Sequence, residues 1–134
     1  MEENKAKWLE FALLGLGAVV GAYLRYRIVE SPVAFYGLPL NVLAVNVLGS
    51  FILGLFSVLS VALNLNSQYT MFAAVGFCGS FTTMSSFALE TTNLLEGNRF
   101  MLLALNILAN VALSLGAIIG GRLLGDVLME RILN

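Results

Sequence analysis

Residues 75–90, VGFCGSFTTMSSFALE, gather Gly76 and Gly79, the hydroxyls of Ser80, Thr82, Thr83, Ser85 and Ser86, and the carboxylate of Glu90 inside a run otherwise apolar enough to cross a bilayer. In hydrocarbon every backbone N–H and C=O needs a partner, so irregular backbone survives at membrane depth only against protein or a watery cavity. Glycine beside consecutive threonines is poor helix chemistry, and the pattern predicts a break over residues 79–83, near the middle of the span. A break releases carbonyl oxygens, hard ligands suited to a small cation such as sodium. Beyond it Thr83, Phe87 and Glu90 recur at spacings of four and three, with Met84 three before Phe87, so they project to one side of the continuing half-helix. A phenyl ring has a positive edge and can meet an anion edge-on, a weak contact that favours passage over trapping. Taken alone, Phe87 reads as ordinary packing. Together the residues read as a conduit or an ion site.

The elements that position these groups follow from composition, with 59% of residues apolar and 11% charged. That balance is far from an ordinary soluble domain and defines an all-α integral membrane protein. Four helical spans are predicted at residues 8–29, 38–63, 71–95 and 100–124, each long enough for about 30 Å of hydrocarbon. Their charge-poor cores, 11–24, 38–63, 71–95 and 100–124, hold only Glu90 and Arg122 as charged residues. Trp8, Tyr23, Tyr26, Tyr36 and Tyr69 fall near span ends, where amphipathic rings prefer the headgroup boundary. Residues 1–134 read as a single domain with short loops at 33–37, 64–68 and 96–98, multi-pass in the plasma membrane. A signal peptide is the other reading of the first span, since Lys5 and Lys7 precede an apolar core. Against it, Arg25 and Arg27 make a poor cleavage site and no soluble mature chain follows.

Four spans put both termini and the second loop on one side, with Lys5, Lys7, Arg122 and Arg131, against Arg25, Arg27 and Arg99 on the other. So even a split gives the positive-inside rule little to act on, which predicts insertion in both orientations and head-to-tail pairing. Four helices also make too thin a bundle to shield a polar path from lipid. Small residues that let helices approach recur as Gly17xxxGly21, Ala18xxxAla22 and Gly116xxxGly120, and serve either packing within one chain or association between two.

Polar residues in the spans keep helical spacing. Asn46, Ser50, Gly54 and Ser57 form one stripe on span two, and Asn106, Asn110 and Ser114 another on span four. Buried amides in hydrocarbon are costly unless hydrogen-bonded, so the stripes should face each other, the third span or water. Singly, each residue reads as an interhelical hydrogen bond; two stripes flanking a broken helix favour a lined pathway. Arg25, near a span end, reads equally as an anion-concentrating vestibule residue or as an interfacial snorkel.

The blocks GAVVGAYLRY (17–26), LAVNVLGSFILG (43–54) and GFCGSFTTMSSFALET (76–91) resemble, in order and spacing, those of the Fluc/CrcB fluoride channels, and the likeness extends over all four spans. The third block is the specific one. The resemblance implies a dual-topology antiparallel homodimer with two fluoride pores, a structural sodium ion at the dimer centre, and passive export of cytoplasmic fluoride, conferring fluoride resistance. It implies that Gly79 and Thr82 supply the carbonyls that hold the sodium, two from each subunit. Phe87 resembles one of two pore phenylalanines and Asn46 the polar residue beside the anion path. Ser85, Ser86, Asn110 and Ser114 match or adjoin a hydroxyl and amide track, while Glu90 and Arg25 match positions without a defined part in conduction. Met84 departs from the pattern by standing at the first phenylalanine position, where a flexible thioether offers no ring edge. Val42 departs too, standing where some relatives carry a hydroxyl.

An anion route without fixed charge is physically sensible, because a lysine or arginine in the path would hold fluoride too firmly, whereas amide and hydroxyl donors replace hydration weakly. No enzyme is expected: there is no histidine, Cys78 has no second cysteine and reads as a small packer, and carboxylates do not cluster. Nor is a nucleic-acid partner expected. The rival class is a small dual-topology carrier coupling protons to a cationic drug through Glu90, with Glu10 second. Such a carrier has no use for a glycine-threonine break, and Glu90 lies toward the end of its span. A third reading, an accessory lipid-packing subunit, leaves the polar stripes without purpose.

Overall fold

A computed structural model of the chain describes residues 2–133. It contains four helical segments long and apolar enough to cross a membrane, as the hydropathy predicts. The first is α1 (Glu2–Val29) and the second is α2 (Asn41–Ala62). The third is composite, running from α3 (Ser67–Thr70) through a π-helix (Met71–Cys78) and α4 (Gly79–Phe81), then breaking before α5 (Met84–Glu96). The fourth is α6 (Phe100–Leu133), 34 residues and so about 50 Å long, well beyond the predicted end at residue 124.

Two connections carry more structure than expected. Residues 33–37 were expected as a loop and residue 38 as the start of span two. Instead β1 (Ala34–Phe35) pairs antiparallel with β2 (Leu38–Pro39), and α2 begins at Asn41. The two-residue turn between the strands has positive φ at both Tyr36 (50°) and Gly37 (87°), the twist that closes a tight hairpin. Asn41 ties this connection to the end of α1: its Oδ1 accepts from the Val33 N–H, and its Nδ2 donates to the carbonyls of Ile28 and, at 2.9 Å, Ser31. The 64–68 loop is likewise shorter than expected, because Asn66 caps α3 by accepting the Gln68 N–H at 3.3 Å.

Lipid tails are as apolar as leucine, so helices in a membrane associate through close packing and polar bonds rather than apolar burial. Both are visible. The most extensive packing is α2 against α6, which run side by side, and α1 against the π-helix. Gly17 and Gly21 face the π-helix backbone at Phe72 and Phe77 so closely that a methyl group at either would collide with a carbonyl oxygen. The expected Gly17xxxGly21 contact therefore works within the chain. Gly116 and Gly120, by contrast, have open space where a side chain would stand. The glycines of α6 that meet α2 are Gly121, against Phe51 and Leu55, and Gly125, against Val58. A single residue, about 100° of rotation, separates Gly120 from Gly121 and so changes the face, and Gly121, Gly125 and Met129 continue the buried edge at intervals of four.

Candidate functional site

The interruption of the third span falls at Thr82 and Thr83, both extended, with φ and ψ of −76° and 155° and of −149° and 114°. Thr82 still donates to the Cys78 carbonyl at 3.1 Å, closing the last helical turn before the break. The Thr83 N–H, which would return to the Gly79 carbonyl in an unbroken helix, donates instead to Asn46 Oδ1 at 2.8 Å. Asn46 Nδ2 in turn donates to the Thr83 carbonyl at 3.3 Å and to Asn110 Oδ1 at 3.0 Å. One amide side chain from α2 thus brackets both backbone polar groups of the residue at the break. Gly49, one turn on, lies so close to the Thr82 side chain that a methyl group there would collide with it.

Past the break, Thr83 caps α5: its Oγ1 accepts the Ser86 N–H at 3.1 Å, donates to Ser86 Oγ at 3.1 Å and lies 3.2 Å from Ser85 Oγ. The cap satisfies a first-turn N–H that would otherwise lack a partner.

Around the break lies a groove of about 360 Å³. It brings together Asn46, Thr83, Met84, Phe87, Asn110 and Ser114 of the predicted pathway, and both expected carbonyl donors, Gly79 and Thr82. Gly49, Ser50 and Cys78 border it as well. Its charged lining residues are none, and its polar groups are amides and hydroxyls. Phe87 is buried at 8% exposure whereas Met84 is 74% exposed, so the thioether stands at the open side of the groove and the ring on its floor. The Ser114 hydroxyl is buried and has no hydrogen-bond partner among the described residues.

Three of the predicted residues gather elsewhere. Arg25, Ser85 and Ser86 line a separate cavity of about 410 Å³ with Ala22, Tyr26 and Glu30, between the end of α1 and the start of α5. Thr83 joins the two spaces, bordering the groove while its hydroxyl contacts Ser85 and Ser86. Glu90 does not share the groove with Thr83 and Phe87 as its spacing suggested. It lines a third space of about 230 Å³ with Asn93, Arg99 and the β hairpin. Three helical residues turn through about 300°, so Glu90 is rotated some 60° from Phe87, and the hairpin and Arg99 close over it. One carboxylate oxygen, Oε2, is buried without a partner among the described residues. Glu10, the second carboxylate considered, accepts from Ser67 Oγ at 2.8 Å.

The Gly79 and Thr82 carbonyls fit a hard cation in donor type. Gly79 has lost the N–H that would normally close on it, and the extended ψ of Thr82 turns its carbonyl out of the helical direction. Two carbonyls fall short of a full coordination shell. Sequence reasoning did not single out Thr91, which accepts from Asn106 Nδ2 at 3.1 Å. The fifteen-residue separation and the intervening turn hide that pairing.

Fold and groove together define a multi-pass membrane protein with an uncharged cleft, largely apolar but carrying amides and hydroxyls, set against an interrupted span. Residues 12–122 match the family model described as CrcB-like protein, Camphor Resistance (CrcB). A Nitrosopumilus maritimus protein named Fluoride-specific ion channel FluC is 62% identical over 116 residues, covering 87% of this chain and 92% of that one. A Methanococcus maripaludis protein of the same name is 42% identical over 114 residues, 85% of this chain and 93% of its own. Another, from a Sulfurihydrogenibium species, is 38% identical over 122 residues, 89% and 98% of the two chains. The chain belongs to the CrcB family.

Proposed function

We propose that this protein is a fluoride-selective channel that lets cytoplasmic fluoride leave passively across the plasma membrane. What carries the reading is the 62% identity, over 87% of the chain, to a relative named a fluoride-specific ion channel. The groove agrees with it in chemistry. Its neutral lining offers hydroxyl and amide donors and a phenyl ring, which replace part of the hydration of a small anion without holding it. Both hydrogens of the Asn46 amide are engaged, so the groove hydroxyls without a bond among the described residues, those of Ser50 and Ser114, are the donors left for an anion, and the Phe87 ring lines the same groove. The cavity lined by Arg25, Ser85 and Ser86 serves as an entrance, where Arg25 and the two hydroxyls meet the anion and the Glu30 carboxylate on the same wall is paired with Arg27.

The groove is open on the side of Met84, and a polar path facing lipid is unfavourable. In our reading a second copy, inserted in the opposite sense, covers it, giving an antiparallel homodimer with two routes. The same pairing would bring two further carbonyls to those of Gly79 and Thr82, and these four would hold a structural sodium ion, whose charge would be met by the carbonyl dipoles at the two breaks; the anion route itself is built by Asn46, Thr83, Phe87, Asn110 and Ser114. The proton-coupled carrier built on Glu90 finds no support, since Glu90 lies outside the groove and the relatives are named as channels.

Purified protein in liposomes loaded with fluoride should release it on addition of a potassium ionophore, without a pH gradient, and should release chloride far more slowly. Efflux that requires a proton gradient, or equal release of chloride, overturns the proposal.

A further inference from the structure

A chain of hydrogen bonds leaves α5 at its cap, passes through α2 and α6, and returns to α5 one turn later. The Thr83 N–H donates to Asn46 Oδ1 at 2.8 Å, and Asn46 Nδ2 to Asn110 Oδ1 at 3.0 Å. Asn110 Nδ2 donates to Asn106 Oδ1 at 3.1 Å, and Asn106 Nδ2 to Thr91 Oγ1 at 3.1 Å. The Thr91 hydroxyl then donates to the Phe87 carbonyl at 2.7 Å.

The two ends give this ring a direction. A peptide N–H can only donate and a carbonyl can only accept, so the sense of all three amides and of the threonine hydroxyl between them is fixed. Turning over any one amide would set donor against donor or acceptor against acceptor, in a site where Asn106 is fully buried and Thr83 and Asn110 are each 5% exposed. At Asn106, which is fully buried and outside the groove, such a mismatch carries its full desolvation penalty.

Thr91 and Asn106 belong to the ring but do not line the groove. We propose that they are positioning residues: by fixing the orientation of the Asn110 and Asn46 amides they hold the third span open at Thr83 and set the Phe87 ring, without touching the ion. Were the bonds independent contacts between helices, loss of the Thr91 hydroxyl would be felt at Asn106 and no further. In a directed ring it is felt at Thr83, on the opposite side of the loop of bonds. The consequence for transport rests on the channel function proposed above; the structural consequence does not.

The test uses the full chain in lipid, with passive fluoride efflux and hydrogen exchange of the Thr83 amide measured on the same preparations. Thr91→Val keeps the shape and removes the hydroxyl, and Thr91→Ser keeps the hydroxyl. Thr91→Val should speed exchange at Thr83 by about tenfold, the scale of one hydrogen bond, and slow efflux to a similar degree. Thr91→Ser should stay within about twofold of the unaltered chain on both readouts. Should Thr91→Val fail to assemble, Thr91→Ala carries the same expectation without the branched methyl. Unchanged exchange at Thr83 in a hydroxyl-free variant overturns the proposal, as does a serine variant as impaired as the valine one. If exchange responds as expected but the unaltered chain passes no fluoride, the ring stands and the channel reading fails.

Discussion

Replacing Asn46 with aspartate exchanges one NH2 group for an oxygen and addresses the bracket on the break directly. Asn46 now makes three bonds: it accepts the Thr83 N–H at 2.8 Å, donates to the Thr83 carbonyl at 3.3 Å and donates to Asn110 Oδ1 at 3.0 Å. Aspartate keeps the first and strengthens it by about 1 kcal/mol, because the acceptor becomes charged. The other two become contacts between oxygens, each leaving an acceptor without its donor at about 1–3 kcal/mol. The balance is a loss of about 1–5 kcal/mol, centred near 3. Denaturant unfolding of the purified chain in detergent measures that loss, and fluoride efflux should fall with it, since the new charge borders the groove. Asn46→Leu removes the bracket without adding charge, so it should share the loss of stability and separate it from any electrostatic effect on flux. An Asn46→Asp chain as stable as the unaltered one would refute the reasoning, because it would mean that neither Nδ2 bond contributes.

Ser114→Ala should behave in the opposite way. The hydroxyl it removes is buried and unpaired within the chain, so stability should hold or rise by up to about 1 kcal/mol, while fluoride efflux should fall; unfolding and flux measured together check the split. Asn41→Ala removes the three bonds that tie the hairpin connection to α1, for a loss of about 1–3 kcal/mol given their partial exposure, read as a lower unfolding midpoint.

The spans and the position of the break were legible in the sequence because both rest on backbone chemistry. A helix in lipid needs a long uncharged run, and Gly79, Thr82 and Thr83 disfavour continuing one. That the amide stripes would meet each other, the third span or water was also legible, and Asn46 meets both Asn110 and Thr83. What was hidden is whatever depends on telling one apolar face from another. Lipid-facing and protein-facing surfaces are both apolar, so Gly116xxxGly120 looked as good a contact as Gly121 and Gly125, which meet α2. The run MFAAVGFC gives no signal that it winds as a π-helix. Nor does spacing along α5 foretell that the hairpin shuts Glu90 away from Phe87. The Asn106 to Thr91 bond joins neighbouring spans across a turn, and no periodicity within one helix contains it.

The composite third span has a consequence for assembly during synthesis. Its first half is a π-helix, a geometry rarely sustained without outside support, and its middle leaves a peptide N–H that only another segment can satisfy. The support comes from α1, through Gly17 and Gly21, and from α2, through Asn46. Both are made earlier by the ribosome, so the interrupted segment emerges after the two helices that support it, and α6 joins last through Asn110.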